Sequence, residues 1–253
     1  MGRLQDKIAV VTGGSRGIGG ATVRRFAEEG AKVAIFAVLA EDGEALAAEL
    51  SRDGGDVIFV KVDITDEKQV EAAVSRVTGK WGRLDILVNN AAITGANKFA
   101  HEGTVEEWER VVNVKGTFLC TKYAVRPMMA QKSGSIVNFS SIYGLIGNDD
   151  IPPYHATKGA TLMMSKTDAI CYAPYGIRVN AVHRGSTMTE IFMKCADTYP
   201  KGKQAYLDMM KEKHPLRLGE PVDVANCVLF LDAQAARFVT GASLVVDGGY
   251  TTQ

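Results

Sequence analysis

A doubly wound α/β fold, with a parallel sheet of about seven strands and helices on both faces, is what the sequence predicts, and three observations carry the prediction. Short runs rich in Val and Ile alternate with helical stretches from one end of the chain to the other. The strand runs are near-continuously apolar, the mark of parallel strands covered on both faces. A glycine-rich turn joins the first strand to the first helix. Alternation of this kind implies right-handed crossovers. No Pro/Ser-rich linker, charge block or internal repeat divides the 253 residues. Residues 1–253 are therefore expected to form a single domain.

Taken in order, the expected strands are Lys7–Thr12, Lys32–Phe36, Asp56–Val60, Leu84–Asn89, Ser135–Ser140, Ile177–Val182 and Ser243–Val246. Between them the expected helices include Gly17–Glu29, Glu41–Arg52, Asp66–Lys80 and Thr104–Gln131.

Lys+Arg and Asp+Glu both total 29. A balanced chain gives no reason to expect a nucleic acid or an anionic membrane as partner. Cys120, Cys171, Cys195 and Cys227 are scattered, with no CxxC pair and no His at ligand spacing. They read as reduced thiols of a cytoplasmic protein, and no metal site is expected. Met1–Asp6 runs directly into a strand, so no leader peptide is expected, and the apolar runs are too short to span a bilayer.

The first strand ends in Thr12-Gly13-Gly14-Ser15-Arg16-Gly17-Ile18-Gly19 and opens a helix. Glycines there permit a tight turn and let backbone N–H groups approach a pyrophosphate at the helix N-terminus. The spacing, Gly-x3-Gly-x-Gly, differs from the usual dinucleotide fingerprint GxGxxG. Its place after the first strand of a βαβ unit favours a cofactor over a ligand-free turn.

Tyr154 and Lys158 stand four residues apart in a helical stretch, with Ser141 thirteen residues before the tyrosine. Residues at that spacing share one helix face, and a hydroxyl at a strand end can reach the same point. Together they make a site for moving a proton on or off an alcohol oxygen. A free phenol titrates near ~10, and a neighbouring ammonium lowers that value. Without other motifs, the pair would be a surface Tyr and Lys.

The other motifs are present. Thr12-Gly13-x3-Gly17-x-Gly19, Asn89-Asn90-Ala91-Ala92, Asn113, Ser141, Tyr154-x3-Lys158 and the ending Val246-Asp247-Gly248-Gly249-Tyr250 occur in order along the chain. The set resembles a short-chain dehydrogenase/reductase, and the Ser140–Leu145 and Val179–His183 segments most resemble those of secondary and cyclic alcohol dehydrogenases. The resemblance implies a Rossmann-like sheet and interconversion of a secondary alcohol and a ketone with a nicotinamide cofactor. It implies Tyr154 as general acid and base, Ser141 as holder of the reacting oxygen, Lys158 at the phenol and nicotinamide ribose, and Asn113 as anchor of a water. It places the cofactor against Gly13, Ser15, Arg16, Gly17, Ile18, Gly19, Ala37, Asp63, Asn90, Ala91, Tyr154, Lys158, Gly185, Thr187 and Thr189. It also implies a small-molecule substrate, a helical substrate lid over about residues 187–215, and a homotetramer. Two rivals remain beside it: a 3-oxoacyl-thioester (acyl-carrier-protein) reductase of the same fold, and a non-catalytic NAD(P)-binding sensor or scaffold.

Several positions depart from the family's pattern. Ala37 stands where an acid would bind the adenosine ribose and repel a 2′-phosphate, and Val38 where phosphate-binding relatives often carry Arg. Arg16 is then either the cation for a 2′-phosphate or a solvated loop arginine, and the sequence leans to NADP, with NAD the alternative. Asp63 is either an adenine contact or a cap for the following helix. Ala92 replaces a family Gly. His183-Arg184-Gly185 replaces the family's Pro-Gly after the sixth strand, which sets a cation beside the nicotinamide site. Asp149, Asp150 and Glu190 either favour polyhydroxylated or cationic substrates or complement helix dipoles.

Overall fold

Val and Ile, stiff at χ1 and suited to a pleated surface, are the commonest residues of the strands. The computed structural model describes residues 2–95, 98–111 and 113–252, with the backbone alone at Arg110 and Asn113. The strands β1 (Ile8–Thr12), β2 (Lys32–Ala37), β3 (Val57–Lys61), β4 (Ile86–Asn89), β5 (Gly134–Phe139), β6 (Ile177–Arg184) and β7 (Ser243–Val246) form one parallel sheet in the order β3-β2-β1-β4-β5-β6-β7. The helices are α1 (Gly17–Glu28), α2 (Ala40–Arg52), α3 (Glu67–Trp81), α4 (Val105–Arg110), α5 (Asn113–Gln131), α6 (Pro152–Tyr172), α7 (Glu190–Asp197), α8 (Lys203–Glu212) and α9 (Pro221–Asp232).

Two apolar layers hold the sheet. On one face Val11, Val33, Ile35, Val88 and Val182 meet Phe26 of α1, Leu46 of α2 and Val228 of α9. On the other, Val10, Ala34, Leu87, Ile136 and Val179 meet Val74 of α3 and Leu119 and Met128 of α5. Neighbouring residues on one strand thus serve opposite layers, which is why the strands carry no polar alternation. Each fully buried Val or Leu contributes about 1.5–3 kcal/mol, so the sheet is a rigid platform for the loops at its carboxyl edge. A third, smaller cluster of Phe192, Met210 and Leu218 with Met188, Met193 and Tyr206 belongs to α7, α8 and the chain on either side of them.

Chain order reverses between β1 and β4, and doubly wound folds bind ligands at such a switch point. Two sequence expectations change here. The expected helix Thr104–Gln131 is two helices. A capping box from Thr104 and Glu107 starts α4, and Val111 ends it, buried under the Gly95 turn, where an added Cβ would lie 2.4 Å from Val111 Cγ2. The sixth strand, expected to end at Val182, runs on to Arg184 because His183 and Arg184 pair with Val245 and Val246 of β7. His183 consequently points into the protein and is fully buried, while Arg184 is half-buried at the carboxyl edge.

Candidate active site

The glycine turn after β1 is packed against the end of β4. Gly13 has φ 62°, and a Cβ there would lie 2.9 Å from the Asn90 Nδ2 and the Ala91 Cα. The Asn90 amide donates to the carbonyls of Thr12 (2.9 Å) and Gly13 (3.2 Å), while Thr12 Oγ1 accepts from the N–H groups of Asn90 (3.0 Å) and Ala91 (3.1 Å). A Cβ at Gly19 would stand 2.2 Å from the Gly13 carbonyl oxygen. Only a glycine turn closes this tightly. The first turn of α1 contains no acidic residue and its N-cap, Arg16, makes no side-chain cap. Its N-terminal amides are thereby left for an anion. A cofactor pyrophosphate fits this turn through backbone, since Ile18 sends its side chain into the core and Ser15 is half-buried.

The end of β2 is less polar. Ala37 is buried at the end of β2, followed by exposed Val38 and Leu39. Arg16 Nε is 2.6 Å from Asp42 of α2, and its Nη1 donates to Glu190 of α7 at 2.7 Å. Asp63 accepts from the backbone and hydroxyl of Thr65, whereas the cap of α3 is Asp66. The helix-cap alternative for Asp63 is therefore replaced by a local turn. Glu190, engaged by Arg16, is not grouped with Asp150 as an acidic patch.

The catalytic candidates converge at the carboxyl ends of β5 and β6. Ser140 and Ser141 face opposite ways. Ser140 Oγ donates to the Lys158 carbonyl (2.8 Å) and ties β5 to α6. Ser141, also buried, caps a 3-10 turn at Ile142–Gly144 and stands at the Tyr154 phenol. Lys158 is buried, with its Nζ donating to the Phe139 carbonyl at 2.6 Å and lying 5.4 Å from the Tyr154 ring centroid. Arg184 Nη2 donates to the Tyr154 hydroxyl at 3.4 Å, and its Nη1 donates to the Gly185 carbonyl at 3.2 Å.

Burial by itself would push the Tyr154 phenol up. The positive charges of Arg184 and Lys158, with the polar hydrogen of Ser141, outweigh it, so the phenol lies below its ordinary value. Burial also draws the Lys158 ammonium down, with Tyr154 opposing the shift and Arg184 adding to it.

Two further groups shape the pocket. Tyr143 stacks on His155 at 4.3 Å and meets Tyr154 edge-on at 6.3 Å. Its hydroxyl donates to Asp150 Oδ2 (3.2 Å) and accepts from Asn148 Nδ2 (2.8 Å). Burial, then the Asp150 charge, push the Tyr143 phenol up. Burial likewise raises the Asp150 carboxyl, whose Oδ1 has no hydrogen-bond partner among the described residues. Ile151, which precedes α6, has φ 32°, a left-handed conformation that costs a β-branched residue strain.

Sequence reasoning missed His183 as a positioning group. Its Nδ1–H donates to the Ser141 carbonyl at 3.0 Å, fixing the tautomer, and burial draws its value down so that the ring stays neutral. The only available signal was a polar residue inside an apolar strand. The structure also brings Arg184 onto Tyr154, which the sequence located only beside the cofactor. Thr187 donates to the Gly185 carbonyl, and Thr189 caps α7 against Gly17. Gly185 packs on the Asp247 turn, where a Cβ would be 2.8 Å from the Asp247 Cα. Asn113 opens α5, but its side chain lies outside the described residues. Among the described residues no group of His, Cys, Asp and Glu is arranged to hold a metal, and no helix is long and apolar enough to cross a membrane.

Residues 13–251 match the family described as enoyl-(acyl carrier protein) reductase. The chain is 40% identical over 256 residues to the cyclopentanol dehydrogenase of Comamonas sp. (strain NCIMB 9872), covering 99% of each chain. It is 41% identical over 249 residues to the cis-4-hydroxycyclohexanecarboxylate dehydrogenase of Sinomonas cyclohexanicum, covering 97% of each. Among solved structures, levodione reductase matches with a TM-score of 0.95 at 31% identity, over 98% of this chain and 99% of that one.

Proposed function

The chain belongs to the short-chain dehydrogenase/reductase family and is an NAD(P)-dependent oxidoreductase of alcohols and ketones; from that premise we propose that Tyr154 is the group that moves the proton, acting on a ring-bearing secondary alcohol or its ketone. The single observation that carries this is the buried Tyr154 hydroxyl, held among Ser141, Lys158 and Arg184.

The roles follow from the positions. Bound to the glycine turn and the β1/β4 cleft, the nicotinamide cofactor supplies or accepts the hydride. In ketone reduction the Tyr154 hydroxyl gives its proton to the oxygen on which negative charge develops; in alcohol oxidation the phenolate takes that proton. Ser141 donates a hydrogen bond to the same oxygen, and His183 holds the Ser141 backbone in place through its carbonyl. Lys158, anchored on the Phe139 carbonyl, stabilises the phenolate electrostatically. Asn113 anchors a water that connects the site to solvent. Ser15, Gly17, Ile18, Gly19, Asn90 and Ala91 hold the cofactor, mostly through backbone, and Thr187 and Thr189 close over it.

NADP(H) is the proposed cofactor, selected through Arg16. Ala37 offers no carboxylate to repel a 2′-phosphate, but Asp42 competes for the Arg16 guanidinium. The preference over NAD(H) is accordingly small. Residues 187–215 form the substrate lid of one cytoplasmic domain, with Phe192 and Met210 packing on Leu218 just beyond it. A homotetramer is supported by the apolar side chains exposed on α5 and α6, Phe118, Met163 and Ile170.

The test is turnover of cyclopentanone and cyclohexanone with NADPH by parent and Tyr154→Phe. A general acid is worth roughly 10²–10⁴ in rate. A drop of at least that size is expected; unchanged turnover sinks the mechanism and favours the sensor or scaffold.

A further inference from the structure

Arg184 has no carboxylate partner among the described residues, although it is half-buried at the end of β6. Arg3, Arg16, Arg24, Arg25, Arg83 and Arg217 each face an acid, and Arg178, also half-buried, is held instead by the Val239 carbonyl and the Ser135 hydroxyl. A guanidinium taken partly out of water and left without a counter-ion is costly unless a ligand provides one. Its neighbours are a carbonyl one residue away, Gly185, and the Tyr154 hydroxyl at 3.4 Å.

Resting on the acid–base role of Tyr154, we propose that Arg184 is a substrate-binding residue that takes a carboxylate carried on, or one carbon away from, the carbonyl carbon, making this enzyme selective for 2-oxo or 3-oxo acids and the matching hydroxy acids. The reacting oxygen must lie a hydrogen bond, about 2.7 Å, from the phenol. A terminal nitrogen 3.4 Å from the same hydroxyl then borders the reacting carbon and its immediate substituents, and not the far end of the substrate. The planar fork suits a carboxylate, which accepts two parallel N–H bonds. The cofactor pyrophosphate is the other anion to consider, but its place is the Gly13–Gly19 turn, away from the phenol.

Charges around the guanidinium are consistent with this ligand. Lys158 adds a second cation on the Tyr154 side. The acid nearest the pocket, Asp150, has Oδ2 occupied by Tyr143, and Tyr143 in turn holds Asn148. Cys195 and Tyr206 of the lid lie within electrostatic reach of both Arg184 and Asp150 and close the far wall. Asp150 Oδ1, buried without a hydrogen-bond partner among the described residues, remains as an acceptor for a hydroxyl on the same substrate.

The experiment compares cyclohexyl(oxo)acetate with cyclohexyl methyl ketone, which differ in the carboxylate. For each, kcat/KM with NADPH is measured for parent, Arg184→Gln and Arg184→Lys, together with the Kd of cyclohexyl(oxo)acetate for each protein holding NADP⁺. The parent is expected to favour the keto acid by roughly 30–100-fold, the value of a charge-assisted bidentate pair. Arg184→Gln brings the ratio to about one and Arg184→Lys restores part of it, whatever the change in absolute rate. A parent ratio near one, or a preference that survives in Arg184→Gln, overturns the proposal. If NADP⁺ affinity falls in Arg184→Gln while the keto-acid Kd does not, the arginine serves the cofactor and the proposal fails. Keto-acid binding lost in Arg184→Gln, with neither ketone turned over by the parent, supports the carboxylate site and removes the Tyr154 reaction instead.

Discussion

Tyr143, half-buried, and Tyr154, buried, are two phenols whose rings meet edge-on at 6.3 Å, yet they are driven in opposite directions. Desolvation raises both. Around Tyr143 the nearest charge is the Asp150 carboxylate, which adds to the rise. Around Tyr154 it is two cations, Arg184 and Lys158, which reverse it. Burial sets how strongly a charge is felt, and the sign of the neighbour decides which protonation state results. One pocket thus holds a permanent hydroxyl donor beside a proton carrier, a separation of values that marks acid–base assignments.

The comparison breaks most readily at the phenols themselves. Tyr154→Phe is expected to lower kcat by roughly 10²–10⁴, whereas Tyr143→Phe changes kcat less than about tenfold and leaves the pH profile in place; equal losses in the two variants would show that the phenols share one role. Next in size is the pH dependence. Alcohol oxidation by the parent rises with pH as Tyr154 loses its proton, at a pH below that of a free phenol. Ketone reduction falls over the same interval. Replacing Lys158 with Met, or Arg184 with Gln, removes a cation and moves both limbs to higher pH; a limb that stays put in both variants would assign the titration to another group.

Asp232 sharpens the lesson, since it is a buried acid whose neighbours do not rescue it. It is held by Ser135 at 2.5 Å, keeps one oxygen without a hydrogen-bond partner among the described residues, and burial pushes it up to about 7. The folded protein therefore binds a proton more tightly than the unfolded chain, and stability is lost as pH rises from 3.8 to about 7. Asp232→Asn should be the more stable protein at pH 8, by up to about 4 kcal/mol at 1.36 kcal/mol per pH unit, and should gain little at pH 4. Denaturant melts at the two pH values check this. The smallest effect expected is at Asp42: Asp42→Asn frees Arg16 and widens the NADPH-over-NADH ratio a few-fold, and a narrowed ratio would refute the role given to Arg16.

Much of this fold was legible because its strands are covered on both faces, so that uninterrupted Val and Ile runs mark them to within a residue or two. What escaped was decided by tertiary contact. Val111, which ends α4, packs against Gly95, a contact no helical period reveals. Extension of β6 through His183 and Arg184 depends on β7, whose pairing partners lie some sixty residues later. The catalytic spacing Tyr154-x3-Lys158 was visible because a helix face is a local property. Arg184 was visible as an anomaly but not as a neighbour of Tyr154, because that contact joins β6 to α6. Burial of Ile18 likewise shows that its contribution to the glycine turn is its backbone, not its side chain.

The Arg16 ion pairs have a kinetic side. Glu190 begins α7, Asp42 lies in the first turn of α2, and a guanidinium from the glycine turn clasps both. Exposed pairs of this kind are weak and screened by salt, over a Debye length of about 10 Å at 0.1 M. With the cofactor seated as proposed, its departure requires breaking a surface clasp, not unpacking an apolar core. If that departure limits turnover, added salt will speed the enzyme until the clasp is screened away, and the Glu190→Gln variant will already run at the fast rate in dilute buffer.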